Sequence, residues 1–440
     1  MRITFLGIIY IFLILFFLNK NIKYYFYLYL SSFMFQASSF IFIGSSSLSI
    51  AAVVAVAVII KYIFIDRRTK FIIDDKVAKL LILLLTIGIS IPLCSLIWGR
   101  KTFETRFDYW SNSVLSSTAA IDGKNVINYI IVVIFAFAAI CIYQGVNLSK
   151  EELYRAMDIL LYIFVFSALI QYGYQFGVIP EIVVKILYSN DNSSMAFLYG
   201  RDLRLYGSFL EPSYCGGFLT CMLCVFIHRK PINKWKLILI IACVILNRSS
   251  TVILGSIISI AILILFDKNK TKTLIYFILG ILAMLLLYDF GIIDRLVGMV
   301  NIKLSSLSGI QRTKLDLLNI RIIKDTMGIG IGYGNTRANN FIISFAAQCG
   351  LIGILTYCIF VYSLLKSLSK HQELAKNVNS IYFMIACLVT QIISCPDITY
   401  NILWLAILIC LGVISIYEQE DSRDSDFKLP ELGSDIKMYR

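Results

Sequence analysis

The chain has 440 residues, 59% of them hydrophobic and only 15% charged, with a formal net charge of +13. A soluble globular chain is about half apolar and about a quarter charged, so this composition excludes an ordinary soluble enzyme of two or three domains. With only 6 prolines there is little room for a separate soluble domain, and residues 1–417 read as one all-α, polytopic transmembrane helical bundle.

A bilayer core about 30 Å thick takes about 20 apolar residues in a helix. Apolar segments fall at 3–18, 24–44, 48–65, 78–98, 126–147, 156–176, 207–228, 235–247, 250–266, 272–291, 341–365, 378–396 and 399–417, predicting about 12–13 spans. The two segments meeting at Asn247 are short and read as a tight hairpin or a broken pair. No small-residue cleavage pattern follows the first segment, which therefore reads as a span and not a leader.

Lys and Arg in the short loops give the orientation. Lys20 and Lys23, the group Arg67, Arg68, Lys70 and Lys76, Lys150 and Arg155, the runs 228–236 and 267–272, and Lys366, Lys370 and Lys376 all fall on one face. That face is much denser in basic residues and is expected to be cytoplasmic. The tail 418–440 then lies inside; it is polar, mixed in charge and expected to be disordered. The N-terminus and three long loops, 99–125, 177–206 and 292–340, fall outside, and long loops commonly carry function. The net positive charge follows the charge rule and contact with anionic lipid, not nucleic acid. Loop 292–340 departs from that rule: Arg295, Lys303, Arg312, Lys314, Arg321, Lys324 and Arg337 outnumber Asp294, Asp316 and Asp325.

Most of the 11 cysteines sit in apolar segments, where a free thiol acts as a small hydrophobe. Cys221 and Cys224 have metal-like spacing but no partner pair, so no metal or disulfide framework is expected. The two histidines, His228 and His371, fall at cytoplasmic helix ends. No zinc-protease, phosphate-loop, dinucleotide or nucleophile-elbow motif occurs. The string GIGIGYG (328–334) follows no strand and reads as a flexible outer loop.

Three outer stretches carry the candidate chemistry. In RDLRLYGSFLEPSYCGG (201–217), Arg201 and Arg204 precede Glu211, which is expected about one turn inside a span, with Pro212 opening the helix beside it. A structural ion pair is the competing reading of Glu211. In LNRSSTVILG (246–255), Asn247 and Arg248 form an outer turn, read either as a helix-hairpin cap or as an anion ligand beside Arg201 and Arg204. Leading into and within 319–353, Leu315, Leu318, Ile322 and Ile323 give an amphipathic stripe suited to the outer interface, with Arg321 close by. Tyr333, Asn335, Arg337, Asn339 and Asn340 follow. Several guanidiniums around one cavity suit a diphosphate, and a carboxylate among them suits proton acceptance.

This pattern resembles the O-antigen polymerase (Wzy) family, within the superfamily of membrane glycosyltransferases that also holds the O-antigen ligases. The resemblance rests on the Arg-rich segment leading into GSFLEPS (207–213), the NRSST turn (247–251), and the large loop ending in G-x-G-x-G, NNFI and QCGLIG (339–353). It implies a GT-C-type fold in the bacterial inner membrane, with the active site facing the periplasm. It implies a donor glycan on undecaprenyl diphosphate and, as acceptor, one lipid-linked repeat unit whose non-reducing end attacks the donor. No metal and no nucleotide sugar are expected; a chain-length regulator is the expected protein partner. Glu211, Arg204 and Arg248 are the expected catalytic set, with Glu211 as base. Arg201, Arg321, Tyr333, Asn335, Arg337 and Asn340 are the expected binding residues. Similar ligases carry a histidine where this chain has Asn339, which favours polymerase over ligase. A flippase or transporter is the other alternative, but the charges cluster at one end instead of the midplane and no internal repeat is evident.

Overall fold

Apolar runs bounded by short polar caps make most of this chain helical. The computed structural model describes residues 2–43, 46–68, 71–108, 113–189, 203–228, 233–266, 307–370, 379–394 and 397–427. Among the described residues there are 14 α-helices. They are α1 (Phe5–Phe16), α2 (Lys23–Ser32), α3 (Ile50–Ile60, with a π-helical extension to Ile65), α4 (Asp75–Trp98), α5 (Gly123–Gly145), α6 (Lys150–Gln175) and α7 (Glu181–Leu187). The second half holds α8 (Pro212–His228), α9 (Lys234–Asn247), α10 (Ser250–Phe266), α11 (Leu307–Asp325), α12 (Phe341–Lys370), α13 (Ser380–Ser394) and α14 (Asn401–Phe427). Four of these, α4, α5, α6 and α12, are long and apolar enough to cross a membrane. Shorter apolar helices surround them.

Local chemistry sets the helix starts. Asp74 accepts from the Val77 N–H at 2.9 Å to begin α4. Ser149 and Glu152 form a reciprocal capping box at α6. Helices that are apolar all round belong at the centre of a bundle. Accordingly, α14 is buried at every position from Ile402 to Ile416 and packs on α5, α6, α12 and α13. Helix α8 is buried almost throughout and packs on α9, α10 and α13.

The all-α expectation holds only in the main: the chain is mostly helical with two small antiparallel sheets. The expected span 24–44 ends as a helix at Ser32, where the Ser31 and Ser32 hydroxyls bond back to the Leu28 and Tyr29 carbonyls. The chain then forms β2 (Ser39–Ile43), paired with β1 (Arg2–Ile3) and β3 (Ser46–Ser49). The expected loop 99–125 contains a hairpin of β4 (Thr102–Asp108) and β5 (Ser113–Thr118). Strand β4 alternates exposed and buried residues, as a half-covered strand must. Helix α14 runs on to Phe427, past the expected end at 417. The expected span 272–291 lies outside the described residues.

The long helices have two chemically distinct ends. At one end Lys23 pairs with Glu152 (2.9 Å) and Lys236 with Asp158 (2.7 Å). There, too, Asp74 takes Lys76 at 3.0 Å and Tyr143 at 2.5 Å, and Ser363 donates to Asp75. These are the segments whose basic residues share a face in the sequence. The opposite end of the same helices gathers β1–β3, the β4–β5 hairpin, residues 203–213, the 247–251 turn, α11 and residues 326–340.

Candidate functional site

A broken helix builds this second end. Gly350, inside α12, has φ 72° and ψ −177°, a conformation essentially reserved for glycine. The break frees backbone groups, and the glycine-rich segment takes them up. Ile331 and Gly332 N–H donate to the Ala347 and Gln348 carbonyls, each at 2.9 Å, while Leu351 N–H donates to the Gly328 carbonyl at 2.8 Å. Gly328, Gly330, Gly332 and Gly334 all have positive φ, and a Cβ at Gly330 would lie 2.7 Å from the Gln348 carbonyl oxygen. GIGIGYG is therefore a fixed rail along the break. The expected flexible loop is corrected by this bonding: backbone groups at such a break need partners, and glycine lets the two chains approach.

The rail delivers Arg337. Gln348 holds its end, accepting from Gly334 N–H (3.0 Å) and donating to the Thr336 carbonyl (2.9 Å). The Arg337 guanidinium then donates to Tyr214 Oη at 2.7 Å and pairs with Asp397 at 3.0 Å. Arg337 is half exposed and Asp397 a third exposed. Burial pushes the Asp397 carboxyl above its ordinary value; Arg337 beside it pulls it down, and the nearby Glu211 carboxylate adds to the rise.

Two cavities meet at this pair. The smaller, about 360 Å³, runs between α2, α3, α5 and the start of α8. The larger, about 670 Å³, lies between the β4–β5 hairpin, α5, α11 and the glycine rail. Asn128, Arg337, Asp397 and Thr399 line both. A carboxylate of raised pKa can accept a proton from a hydroxyl in either cavity, and the adjacent guanidinium can stabilise developing negative charge.

Of the expected binding residues, Tyr333, Asn335 and Arg337 line the larger cavity. Glu211 does not sit one turn inside a helix. Pro212 opens α8, because a first-turn proline loses no helical hydrogen bond. Glu211 therefore precedes the helix, its carbonyl accepting from Cys215 N–H and its carboxylate from Ser213 Oγ at 3.1 Å. It lies close enough to Arg337 and Asp397 to influence both electrostatically. Asn340 caps α12, its side-chain oxygen accepting from the Ile342 (2.8 Å) and Ile343 (3.2 Å) N–H groups. Arg321 pairs with Glu104 of β4 at 3.4 Å, with both side chains exposed, so α11 lies under the hairpin.

Arg204 and Arg248 line neither cavity. The Arg204 carbonyl accepts from Gln171 Nε2 at 2.9 Å. Arg248, at φ 51°, is the exposed left-handed cap of α9. The two turns are nonetheless joined: Leu205 N–H donates to the Leu246 carbonyl, and buried Asn247 donates to the Leu205 and Pro212 carbonyls at 2.5 and 2.9 Å. Arg201 lies outside the described residues.

Sequence reasoning missed Asp397, Tyr214, Arg106, Lys124 and Asn128. Asp397 stood in a two-residue gap between two assigned spans, and a carboxylate at such a boundary was itself the available signal. Asn125 and Asn128 are three residues apart on α5 and share a face. No protein-family model matches this chain, and a search of curated proteins finds no match.

Proposed function

We propose that the chain is a membrane glycosyltransferase that polymerises lipid-linked oligosaccharide repeat units. In this reading the bundle crosses the bacterial inner membrane about a dozen times in a GT-C-type arrangement, with the Arg337 end facing the periplasm. The growing glycan leaves undecaprenyl diphosphate for the non-reducing end of an acceptor repeat unit. The acceptor oxygen forms a bond to the donor's anomeric carbon as the bond from that carbon to the diphosphate oxygen breaks. The hydroxyl proton passes to a carboxylate, and undecaprenyl diphosphate departs with the bonding pair.

The observation that carries this reading is the Arg337–Asp397 pair, 3.0 Å apart on a wall shared by two cavities. Such a transfer needs two substrate positions, a proton acceptor between them and a cation for the leaving charge. Asp397 supplies the acceptor in place of Glu211, and Arg337, with Arg106 and Lys124 on the larger cavity, supplies the cations. Arg204, Arg248 and Arg201 would meet the diphosphate as it approaches from the lipid, and a chain-length regulator would act on the assembled polymer. Asn339 donates to the Ile393 carbonyl at 3.1 Å, so the position where similar ligases carry histidine anchors one helix mouth to another.

The test is complementation of a polymerase-null strain. The chain restores a ladder of glycan lengths, and Asp397→Asn at equal protein level leaves a single repeat unit. A full ladder from Asp397→Asn rejects the assignment. Accumulation of unflipped lipid-linked repeats in a strain from which this chain is deleted rejects the polymerase reading in favour of transport.

A further inference from the structure

The two cavities differ in charge and in how their amides are used. The larger is bordered by Arg106, Lys124 and Arg337 against Asp122 and Asp397, and neither Arg106 nor Lys124 has an acidic partner among the described residues. Among the described residues the smaller has only the Arg337–Asp397 pair; the rest of its described wall is uncharged and includes Phe35, Ile131, Phe135 and the paired rings of Tyr214 and Tyr400 (5.7 Å). An ionised ligand entering the smaller cavity would lose its water and find only an already neutralised pair.

Most carboxamides around the site are committed to the protein. Asn125 donates to Asn335 at 2.8 Å, and Asn335 donates to the Ile331 carbonyl at 2.8 Å. Gln348 holds the glycine rail, and Asn401 donates to the Phe33 carbonyl at 3.2 Å. Besides the exposed Gln311 of the larger cavity, two are not committed. Gln36 lines the smaller cavity and its Oε1 is buried without a hydrogen-bond partner. Asn128 lines both cavities, is only half-buried, and its side chain makes no hydrogen bond among the described residues. A buried amide oxygen without a partner, as at Gln36, is costly unless a ligand satisfies it, and the partly buried Asn128 amide is free to bond one.

We infer that the smaller cavity is a pocket for an uncharged sugar, read by Asn128 and Gln36, with the sugar's reactive hydroxyl at Asp397. The inference rests on the polymerase reading and adds that the sugar at the acceptor end is neutral. It moves sugar recognition away from Asn335 and Asn340, which are occupied in holding the fold. A carboxamide both donates and accepts, so it matches hydroxyl or acetamido groups, while an acidic sugar's carboxylate would meet no spare cation among the described residues of this cavity.

The experiment is saturation-transfer NMR on the full chain in detergent micelles. The probes are neutral methyl glycosides of glucose, galactose, mannose and N-acetylglucosamine, with methyl glucuronide as the charged counterpart. At least one neutral glycoside receives transfer and the glucuronide receives much less. Asn128→Ala and Gln36→Ala each weaken the neutral ligand about fivefold, about 1 kcal/mol of hydrogen bonding, with the unfolding midpoint unchanged. Asn128→Asp, which adds a charge, loses it altogether. Equal or stronger transfer to the glucuronide, no transfer to any neutral glycoside, or full transfer in both alanine variants overturns the pocket. Because the measurement needs no turnover, it separates from the reading beneath it. Glycoside binding without a restored ladder rejects the polymerase alone, and a restored ladder without glycoside binding rejects the pocket alone.

Discussion

Replacing Gly350 by alanine tests how the site is built. The residue sits at φ 72° and ψ −177°, where a side chain costs about 1–3 kcal/mol in backbone strain. A Cβ there would also lie 2.4 Å from the Ile329 carbonyl oxygen and 2.6 Å from that of Gly328. Both belong to the rail's backbone, so relief must come from separating rail and helix. That separation endangers three backbone hydrogen bonds, each contributing about 1 kcal/mol. Gly177 gives the matching control: its φ is 76°, yet nothing lies within 4 Å of its Cβ position. Gly177→Ala should cost about 1–2 kcal/mol from the backbone term alone. Gly350→Ala should cost roughly 2–3 kcal/mol more, from the clash and the lost bonds. Denaturant unfolding of the two variants in detergent reads the difference directly. Glycan-ladder activity of Gly350→Ala should fall with it, since the rail delivers Arg337. Equal stability of the two variants would refute the claim that the break at Gly350 fixes the rail.

Other expectations follow from the same geometry. Asn340→Ala should lower stability by about 1 kcal/mol through the lost helix cap, and Asn340→Ser should restore both stability and activity; a persistent activity defect in the serine variant would mark a substrate contact instead. Arg321→Ala should leave stability within about 1 kcal/mol of the parent and the ladder unchanged, because its pair with Glu104 is exposed. For pH, the working form of Asp397 is the carboxylate and its pKa is raised, so activity should fall on acidification at a pH above the ordinary carboxylate range. Arg337→Ala removes the group that lowers that pKa, so the acid limb of its residual activity should move higher still; a pH–rate profile unmoved by this change would contradict Asp397 as the base.

Composition and hydropathy were sufficient for long helices such as α4 and α5, each a long apolar run behind a polar first turn capped by Asp74 or Asp122, but not for α7 and α11, which fall in the expected loops. They failed at 24–44, where aromatic and β-branched residues are equally apolar in a helix or a strand and the serine pair decides the outcome. The hairpin in 99–125 escaped because β4 is buried on one face only and β5 has no buried residue, so neither is an apolar run. Part of the basic-residue grouping was legible: Lys23, Lys76 and Lys236 do meet at one end of the helices, through Glu152, Asp74 and Asp158. The neighbourhood of 203–217 and the 247–251 turn was also legible, through the Leu205–Leu246 and Asn247 hydrogen bonds, but Arg204 and Arg248 line neither cavity. What lay beyond reach was which side chains are spent on the fold. Asn340, Asn335 and Arg321 look like ligands in a string of letters, but a helix N-terminus, a rail carbonyl and Glu104 claim them. Asp397 and Asn128 are isolated polar residues in the sequence, and the packing of α14 on α5 brings them to one wall.

The most direct measurement is made on the purified chain in proteoliposomes supplied with undecaprenyl-diphosphate-linked repeat units and no nucleotide sugar. The account predicts a ladder of lengthening glycans, one undecaprenyl diphosphate released per bond formed, and no ladder from Asp397→Asn. Transfer only onto lipid A core, or movement of lipid-linked repeats across the bilayer with no glycosidic bond formed, would contradict it.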